Sequence, residues 1–164
     1  MRRNGEIMKI KALIMDVDGT LTDGGIYLDV NGNELKRFNV KDGYGIKNIL
    51  RDRDIIPIIL TGRESEVVKR RCQELGVEYI IQGSKNKVRD MKEILTRLDI
   101  PIEAVMYIGD DLNDMECMKL TGLCACPKDA TREIKNICNY IAEKDGGYGA
   151  VREIIDWLDT NWRE

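Results

Sequence analysis

A chain of 164 residues is long enough to bury one sizeable hydrophobic core, so we expect a single domain over residues 1–164. Its 26 basic and 29 acidic residues nearly balance, which argues against nucleic acid or an anionic membrane as a partner. The chain has no histidine, and this excludes Ser-His-Asp and Cys-His hydrolysis, phosphohistidine chemistry and His-ligated metals. Catalysis must therefore use carboxylates, Lys, Arg, hydroxyls or thiols.

The polarity and the cysteine content favour a cytoplasmic location. The segment Met1–Lys9 lacks the apolar core of a signal peptide, and no later apolar run approaches the ~20 residues that a membrane span requires. The five cysteines are odd in number and follow no disulfide-framework spacing. We therefore expect free thiols and no membrane partner.

Short apolar runs alternate with segments of helical periodicity along the chain. The runs are too short for helices and mostly lack polar alternation, as expected for strands covered on both faces. Glu64–Leu75 and Lys87–Leu98 have the periodicity of amphipathic helices, and Gly76 fits a C-terminal stop for the first. This pattern predicts an α/β fold with a Rossmann-like, doubly wound parallel sheet. The predicted strands are Ala12–Met15, Ile55–Leu60, Tyr79–Ile81, Val105–Ile108 and Leu123–Cys126.

One segment departs from this alternation. Asn31-Gly32 separates two strand-like runs, Ile26–Val30 and Asn33–Phe38. Asn-Gly between such runs is a strong hairpin signal, because both central residues of a type I′ turn need positive φ. The sequence therefore predicts a β-hairpin over about residues 26–38 that projects from the sheet.

The segment Asp16-Val17-Asp18-Gly19-Thr20 directly follows the first predicted strand. Its two carboxylates, spaced i, i+2, lie where an open α/β sheet binds its ligands. Asp16 is suited to attack a phosphorus atom, and Asp18 is suited to pass a proton to the leaving oxygen. Asp-Gly is also common in ordinary solvated turns, so this motif alone does not decide the function.

Three later strand ends carry groups that would complete a phosphate site. Thr61-Gly62 offers a hydroxyl and backbone N–H groups at the start of the next predicted helix. Lys87 supplies a cation able to neutralise charge on a transferring phosphoryl group. The cluster Gly109-Asp110-Asp111-Leu112-Asn113-Asp114 offers the oxygen ligands that Mg²⁺ prefers. Together the strand ends predict magnesium-assisted phosphoryl transfer.

These four segments closely resemble the motifs of the haloacid dehalogenase superfamily, over roughly residues 11 to 126. The resemblance implies that Asp16 is the nucleophile and a metal ligand. It makes Asp18 the general acid/base and a ligand through its backbone carbonyl. It also implies a catalytic role for Lys87, a metal-ligand role for Asp110, and an indirect or alternative ligand role for Asp114.

Further features resemble the capless sugar-acid phosphatases of that superfamily, above all the family acting on 3-deoxy-D-manno-octulosonate 8-phosphate. The resemblance implies a small phosphorylated sugar acid as substrate, Mg²⁺ as cofactor and no cap domain. It also implies a homotetramer in which the hairpins meet at the centre and a neighbouring subunit covers each active site. The shared features are Leu21-Thr22-Asp23-Gly24, the Asn31-Gly32 hairpin, Thr61-Gly62-Arg63, Arg71-Cys72, Gln82-Gly83 with Lys87, and Gly146–Glu153.

Arg63 bears on the choice of sugar acid. Within the resembled family an arginine after Thr-Gly favours the eight-carbon acid, because a guanidinium can pair with a carboxylate. Phosphatases of nonulosonate 9-phosphates share all four motifs, so a nine-carbon acid is the alternative. Arg63 is also consistent with an exposed first-turn side chain balanced by Glu64 and Glu66. Thr20 departs from the family pattern, which often has Val at this position.

Three other functions fit the sequence less well. Cys126 and Arg132 have the Cys-x5-Arg spacing of cysteine phosphatases, but no glycine lies between them to form a phosphate cradle, and Asp129 would repel the anion. A non-catalytic metal- or phosphosugar-binding protein would be indicated by loss of a catalytic carboxylate or of the lysine, and none is lost. A mutase would need a cap domain to exclude water, and we identify no segment for one.

Overall fold

The computed structural model describes residues 2–3, 6–7 and 9–161, so Met1, Asn4, Gly5 and Met8 of the polar segment Met1–Lys9 lie outside the described residues. The strands are β1 (Arg2–Arg3), β2 (Glu6–Ile7), β3 (Ala12–Met15), β4 (Tyr27–Leu28), β5 (Glu34–Leu35), β6 (Ile56–Leu60), β7 (Tyr79–Ile81), β8 (Val105–Ile108), β9 (Leu123–Cys126) and β10 (Tyr140–Ile141). The α-helices are α1 (Val40–Tyr44), α2 (Leu50–Asp52), α3 (Glu66–Leu75), α4 (Lys87–Arg97), α5 (Met115–Leu120), α6 (Arg132–Lys135) and α7 (Ala150–Asn161). A π-helical segment (Gly45–Ile49) joins α1 to α2, and a 3₁₀ turn (Ile102–Ala104) precedes β8.

A parallel sheet of six strands, in the order β10-β9-β8-β3-β6-β7, forms the centre of the fold. The chain proceeds outward from β3 through β6 and β7, then returns to the other side of β3 through β8, β9 and β10. This confirms the predicted doubly wound parallel sheet. The edge strand β10 was not predicted, because two residues are too short to show a strand pattern.

Two hydrophobic cores cover the two faces of this sheet. On β3, Leu13 and Met15 belong to one core, while Ala12 and Ile14 belong to the other. Helix α7 contributes its buried apolar stripe to the first core, and α4 contributes its stripe to the second. Burial on both faces explains why the strands are almost continuously apolar. None of the described helices combines the length and the apolar character needed to cross a membrane.

The helical segment over residues 40–52 was not predicted from the sequence. Gly43 and Gly45 reduce its intrinsic helix propensity, and this obscures the pattern. The structure supplies a reason for both glycines. A Cβ atom on Gly43 would lie 2.5 Å from Nη2 of Arg71, and one on Gly45 would lie 3.0 Å from Cδ1 of Ile155. Close packing against α3 and α7 therefore outweighs local propensity.

The predicted hairpin is present, with β4 and β5 paired antiparallel. The predicted type I′ turn is wrong, because Gly32 has a φ of +82° but Asn31 does not adopt positive φ. The loop instead closes between Asp29 and Asn33, whose backbone N–H and C=O groups lie 3.0 Å apart. The Asp29 carboxylate accepts hydrogen bonds from both Asn31 and Asn33, which stabilises this longer loop. The described residues contain this hairpin but no cap domain.

Candidate active site

The site lies at the carboxyl ends of β3 and β8, which are neighbours in the sheet. Met15 pairs with Ile108, and the backbone N–H of Asp16 donates to the Ile108 carbonyl at 3.0 Å. This pairing brings the loop after Asp16 next to the acidic cluster that follows β8. Strand order reverses at β3, and ligands of open α/β sheets bind at such a point.

Lys87, the first residue of α4, lies between two buried carboxylates. Its Nζ atom lies 2.9 Å from Oδ1 of Asp16 and 2.7 Å from Oδ1 of Asp114. The exposed fractions of Lys87, Asp16 and Asp114 are 7%, 4% and 0%. A lysine is rarely buried this deeply unless it is paired, so the two carboxylates account for its position.

Burial and charge shift the pKa values of these groups. Burial, together with the Asp114 carboxylate, raises the pKa of Asp16 to about 6, although Lys87 opposes this shift. Burial lowers the pKa of Lys87, but the charges of Asp16 and Asp114 outweigh it and hold that pKa above its usual value. Asp16 is therefore mainly ionised at neutral pH, and Lys87 remains a cation.

Asp114 is held by three donors. Besides Lys87, the Tyr107 hydroxyl donates to its Oδ1 at 2.7 Å, and the Asp110 backbone N–H donates to its Oδ2 at 3.3 Å. Tyr107 was not predicted as a site residue, because its one signal in the sequence was a hydroxyl within an otherwise apolar strand. Asp111, in contrast, is exposed and lies outside this cluster.

Three carboxylates converge in the way that a divalent cation requires. Asp16, Asp110 and Asp114 each offer a ligand oxygen, and these oxygens all lie within 4.8 Å of one another. Burial, then the charges of Asp16 and Asp114, raises the pKa of Asp110 to about 7. This shift reflects a carboxyl group that is removed from water and lies beside two other carboxylates. An oxygen-only set of this kind suits a hard cation such as Mg²⁺.

Two glycine positions let loops approach the acidic cluster closely. Gly19 has a φ of +90°, and a Cβ atom there would lie 2.1 Å from Oδ2 of Asp110. A Cβ atom on Gly146 would lie 2.0 Å from the Gly19 carbonyl oxygen. The Gly147 N–H then donates to the Thr20 carbonyl at 3.3 Å. The Gly-rich segment before α7 thus braces the loop that carries Asp16 and Asp18, a contact that the sequence did not assign.

Thr61 and Gly62 follow β6, beside β3, as predicted. The Thr61 N–H donates to the Ile81 carbonyl at 2.9 Å, and its carbonyl accepts from the Ser84 N–H at 3.1 Å, so the ends of β6 and β7 are joined here. The expected helix N-terminus at Thr61-Gly62 is wrong, because α3 begins only at Glu66. The intervening residues form a loop that the Gln82 side chain stabilises by accepting from the Ser65 N–H at 2.8 Å.

Arg63 is paired with the hairpin. Its Nη2 atom lies 2.8 Å from Oε1 of Glu34, and the Ser65 hydroxyl donates to Oε2 of Glu34 at 2.6 Å. The balancing carboxylate is therefore Glu34 and not Glu64 or Glu66. The Arg63 side chain is 46% exposed, so it still borders solvent at the mouth of the site.

Lys36, also on the hairpin, was not singled out from the sequence. Its Nζ atom donates to Oδ1 of Asp18 and lies 3.2 Å from Oε1 of Glu34. A continuous chain of charged contacts thus joins the loop after β3 to the loop after β6. Its members are Asp18, Lys36, Glu34 and Arg63.

The cysteine-phosphatase alternative is not supported. Cys126 is fully buried within β9, and Arg132 is exposed on α6. A thiol enclosed in the core cannot reach a phosphate ester in solvent. The Pro127 turn after β9 instead leads toward Thr131, whose N–H donates to the Asp110 carbonyl at 2.9 Å and so supports the acidic cluster.

The chain is similar to known proteins of one superfamily. The haloacid dehalogenase-like hydrolase family matches residues 78–155. The 3-deoxy-D-manno-octulosonate 8-phosphate phosphatase KdsC of Escherichia coli K12 is 45% identical over 149 residues, which are 91% of this chain and 79% of that protein.

Two solved structures extend the similarity to three dimensions. The octulosonate 8-phosphate phosphatase of Yersinia pestis superposes with a TM-score of 0.88 at 41% identity, covering 92% of this chain and 81% of that one. The enzyme of Moraxella catarrhalis, solved with a magnesium ion, a phosphate ion and a KDO molecule, has a TM-score of 0.88 at 39% identity, covering 92% and 86%. The chain therefore belongs to the 3-deoxy-D-manno-octulosonate 8-phosphate phosphatase family of haloacid dehalogenase-like hydrolases.

Proposed function

We propose that this protein is a Mg²⁺-dependent phosphatase that hydrolyses 3-deoxy-D-manno-octulosonate 8-phosphate to the free sugar acid and phosphate. The observation that carries the proposal is the buried contact of Lys87 with Asp16 at 2.9 Å, at the strand end where Asp18 follows two residues later. The similarity to enzymes named for this substrate supports the choice of sugar.

The first step transfers the phosphoryl group to Asp16. A carboxylate oxygen of Asp16 forms a bond to phosphorus, and the bond from phosphorus to the substrate's C8 oxygen breaks. Asp18 gives its proton to that departing oxygen, so the sugar acid leaves as an alcohol. Lys87, beside the attacking carboxylate, offsets the repulsion between two anions.

The second step releases phosphate and restores the protein. Asp18, now a carboxylate, takes a proton from a water molecule that attacks phosphorus. The bond from phosphorus to the Asp16 oxygen breaks, and Asp16 regains its negative charge. Asp18 regains its proton in this step, so both carboxyl groups return to their starting states.

The cofactor in this proposal is Mg²⁺, held by carboxylates of Asp16 and Asp110 and by the Asp18 backbone carbonyl. Asp114 supports this set from the buried side, since its Oδ1 is already engaged by Lys87 and Tyr107. When bound, the ion supplies positive charge that stabilises the phosphoryl oxygens in the transition state. The raised pKa of Asp110, about 7, fits a group that needs a cation nearby.

The loop after β6 binds the rest of the substrate in this proposal. Thr61 and Gly62, at the β6 end beside Asp16, bind phosphate oxygens through the Thr61 hydroxyl and the Gly62 backbone N–H. Arg63 pairs with the sugar acid's carboxylate. Its guanidinium has five N–H donors on three nitrogens, and the contact with Glu34 is made by one of them, Nη2.

The proposal includes a homotetramer in which the hairpins form the contacts. Several large apolar side chains of the hairpin are exposed in the single chain, and exposed apolar clusters mark interaction surfaces. They are Ile26, Tyr27, Leu28, Val30 and Leu35. Light scattering on a sizing column should give four chains for the wild type and fewer for Leu28→Asp. A wild-type monomer at micromolar concentration would contradict this assembly.

A cytoplasmic location and a single domain over residues 1–164 are also part of the proposal. The five cysteines are free thiols in the structure, which supports a reducing compartment. The two apolar cores lie on opposite faces of one sheet, which supports a single folding unit.

The test is phosphate release with Mg²⁺ from three substrates, the octulosonate 8-phosphate, N-acetylneuraminate 9-phosphate and deoxynonulosonate 9-phosphate. We expect kcat/KM to favour the eight-carbon acid by roughly 100-fold, or about 2.7 kcal/mol of transition-state free energy. Asp16→Asn is the control and should release no phosphate above background. A preference for a nine-carbon acid would overturn the substrate, and Asp16→Asn with normal turnover would overturn the mechanism.

A further inference from the structure

The hairpin contributes a charged side chain to the active site of its own chain. Lys36 follows β5, and its side chain is only 2% exposed although most neighbouring hairpin residues are exposed. Lysine is almost never buried to this extent without a partner. Both partners lie inside the same chain: Lys36 Nζ donates to Oδ1 of Asp18 and lies 3.2 Å from Oε1 of Glu34.

Asp18 depends on this contact for its orientation. Among the described residues, Lys36 is the donor that hydrogen-bonds to the Asp18 carboxylate. The Asp18 side chain is 22% exposed, and the next residue, Gly19, has a φ of +90°. A carboxylate on such a loop has several rotamers available unless a partner selects one. Lys36 engages Oδ1, and among the described residues no donor hydrogen-bonds to Oδ2.

Glu34 fixes the lysine in turn. Its carboxylate is held by Ser65 at 2.6 Å and Arg63 at 2.8 Å, so it is anchored to the loop after β6. Lys36 therefore bridges a carboxylate anchored to the sheet and one at the reacting centre. This arrangement differs from that of Lys87, which contacts Asp16 and Asp114 but not Asp18.

We propose that Lys36 is a positioning residue that aims the Asp18 carboxyl group at the leaving oxygen of the substrate. The inference rests on the proposed function, because it assigns Asp18 the proton transfer. It gives the hairpin a catalytic task within its own chain, separate from contacts between subunits. Removing Lys36 should weaken proton donation to the leaving group while phosphoryl transfer to Asp16 remains possible.

Leaving-group dependence distinguishes positioning of the acid from binding of the sugar. Phenyl phosphates with different ring substituents lack the sugar acid's carboxylate and hydroxyls, and their leaving groups span a range of acidities. The value of kcat/KM reports steps up to the first irreversible one, which here is departure of the phenol. Without an aimed proton donor, poor leaving groups should suffer most, so the slope of log kcat/KM against the phenol's pKa becomes steeper.

The variants are Lys36→Met, Lys36→Arg and the exposed control Lys92→Met. For Lys36→Met we expect a steeper slope, with a loss on the order of 10- to 100-fold for the octulosonate 8-phosphate and the least acidic phenol, and within about threefold for p-nitrophenyl phosphate. Lys36→Arg should recover most of the loss, and Lys92→Met should match the wild type. The slope compares substrates within one protein preparation. Partial unfolding lowers kcat/KM for all of them by the same factor, so it does not alter the slope.

Two results would overturn the inference. An unchanged slope in Lys36→Met, with equal losses across all phenyl phosphates, would show that Lys36 only holds the hairpin in place. An unchanged slope with a raised KM for the octulosonate 8-phosphate alone would make Lys36 a contact to the sugar. If wild-type protein released no phosphate from the octulosonate 8-phosphate, the proposed substrate would fail, yet the phenyl phosphate slope would still test Lys36.

Discussion

Lys87 Nζ lies 2.9 Å from Oδ1 of Asp16, and both side chains are almost completely buried. The contact joins the first residue of α4, which follows β7, to the loop after β3, so the proposed nucleophile and its cation come from strands that β6 separates in the sheet. Each group compensates the charge of the other in a site from which water is largely excluded.

Replacing Lys87 should abolish most activity. Lys87→Met removes the cation beside Asp16, and we expect kcat for the octulosonate 8-phosphate to fall by roughly 10²- to 10³-fold. Two buried carboxylates would also lose their partner, so the melting temperature measured without Mg²⁺ should fall. Lys85→Met, at an exposed position in the loop just before α4, is the matched control. Loss of stability without loss of kcat would contradict the catalytic role.

Magnesium affinity should depend on pH. In the metal-free protein the pKa of Asp16 is raised to about 6 and that of Asp110 to about 7, and a metal ligand must be deprotonated. Protons therefore compete with Mg²⁺ as the pH falls through 7, and affinity should drop roughly tenfold between pH 8 and pH 6. Isothermal titration calorimetry in buffers of different ionisation enthalpy should detect proton release near pH 6.5. Equal affinity and no proton release across this range would exclude the shifted carboxylates as ligands.

Gly19 should be required for the acidic cluster. Gly19→Ala places a Cβ atom 2.1 Å from Oδ2 of Asp110 and adds strain at a φ of +90°. Displacing this carboxylate should weaken Mg²⁺ binding by roughly 10- to 100-fold. Gly76→Ala is the control, because Gly76 also has positive φ, at +71°, but no atom within 4 Å of the added Cβ. That variant should lose about 1 kcal/mol of stability and keep its Mg²⁺ affinity. Similar affinities in the two variants would refute the steric argument.

Asp42 should make stability depend on pH. Its Oδ1 accepts from the Arg152 N–H at the start of α7 at 2.8 Å, while its buried Oδ2 has no partner among the described residues. Burial raises the pKa of Asp42 from 3.8 to about 6. Between these pKa values the folded state keeps a proton on Asp42 that the unfolded state has released. The stabilisation from this proton is therefore fully present below pH 4 and is lost as the pH rises through 6.

The variant Asp42→Asn keeps the acceptor and removes the charge. Its unfolding free energy relative to wild type should rise between pH 4 and pH 7 by up to about 3 kcal/mol, the equivalent of the pKa shift. Urea unfolding at several pH values without Mg²⁺ measures this difference. A difference that stays constant with pH would show that the charged form of Asp42 is not penalised.

Arg63 should select substrates that carry a carboxylate. Arg63→Ala should raise KM for the octulosonate 8-phosphate by roughly 10- to 100-fold, the value of a charge-assisted hydrogen bond. Values of kcat/KM for p-nitrophenyl phosphate, which has no carboxylate, should stay within about twofold. If both substrates lost activity equally, Arg63 would act on the structure of the loop and not on the sugar acid.

The sequence predicted the parts of the site that follow strands directly. Asp16, Thr61, Lys87 and Asp110 stand at or shortly after successive strand ends, and parallel strands deliver their carboxyl ends to one edge. The local sequence pattern therefore identified these residues, and the strand order of the sheet brings them close together. The structure confirms this fold and places Lys87 against Asp16, as the chemistry requires.

Contacts between distant segments could not be predicted in this way. The contacts of Lys36 with Asp18 and of Glu34 with Arg63 depend on how the hairpin folds back onto the sheet, which no local pattern records. The hydroxyl of Tyr107 was hidden for a related reason, because an aromatic residue in an apolar strand is consistent with simple core packing.

In the proposed mechanism Asp16 carries the phosphoryl group during hydrolysis of the octulosonate 8-phosphate. The most direct test is a rapid acid quench of wild-type protein turning over this substrate with Mg²⁺, followed by mass analysis of the peptide that contains Asp16. We expect the mass of one phosphoryl group on Asp16, lost on treatment with hydroxylamine and absent from Asp16→Asn. Turnover with no phosphorylated Asp16 at any quench time, together with full activity of Asp16→Asn, would contradict this mechanism.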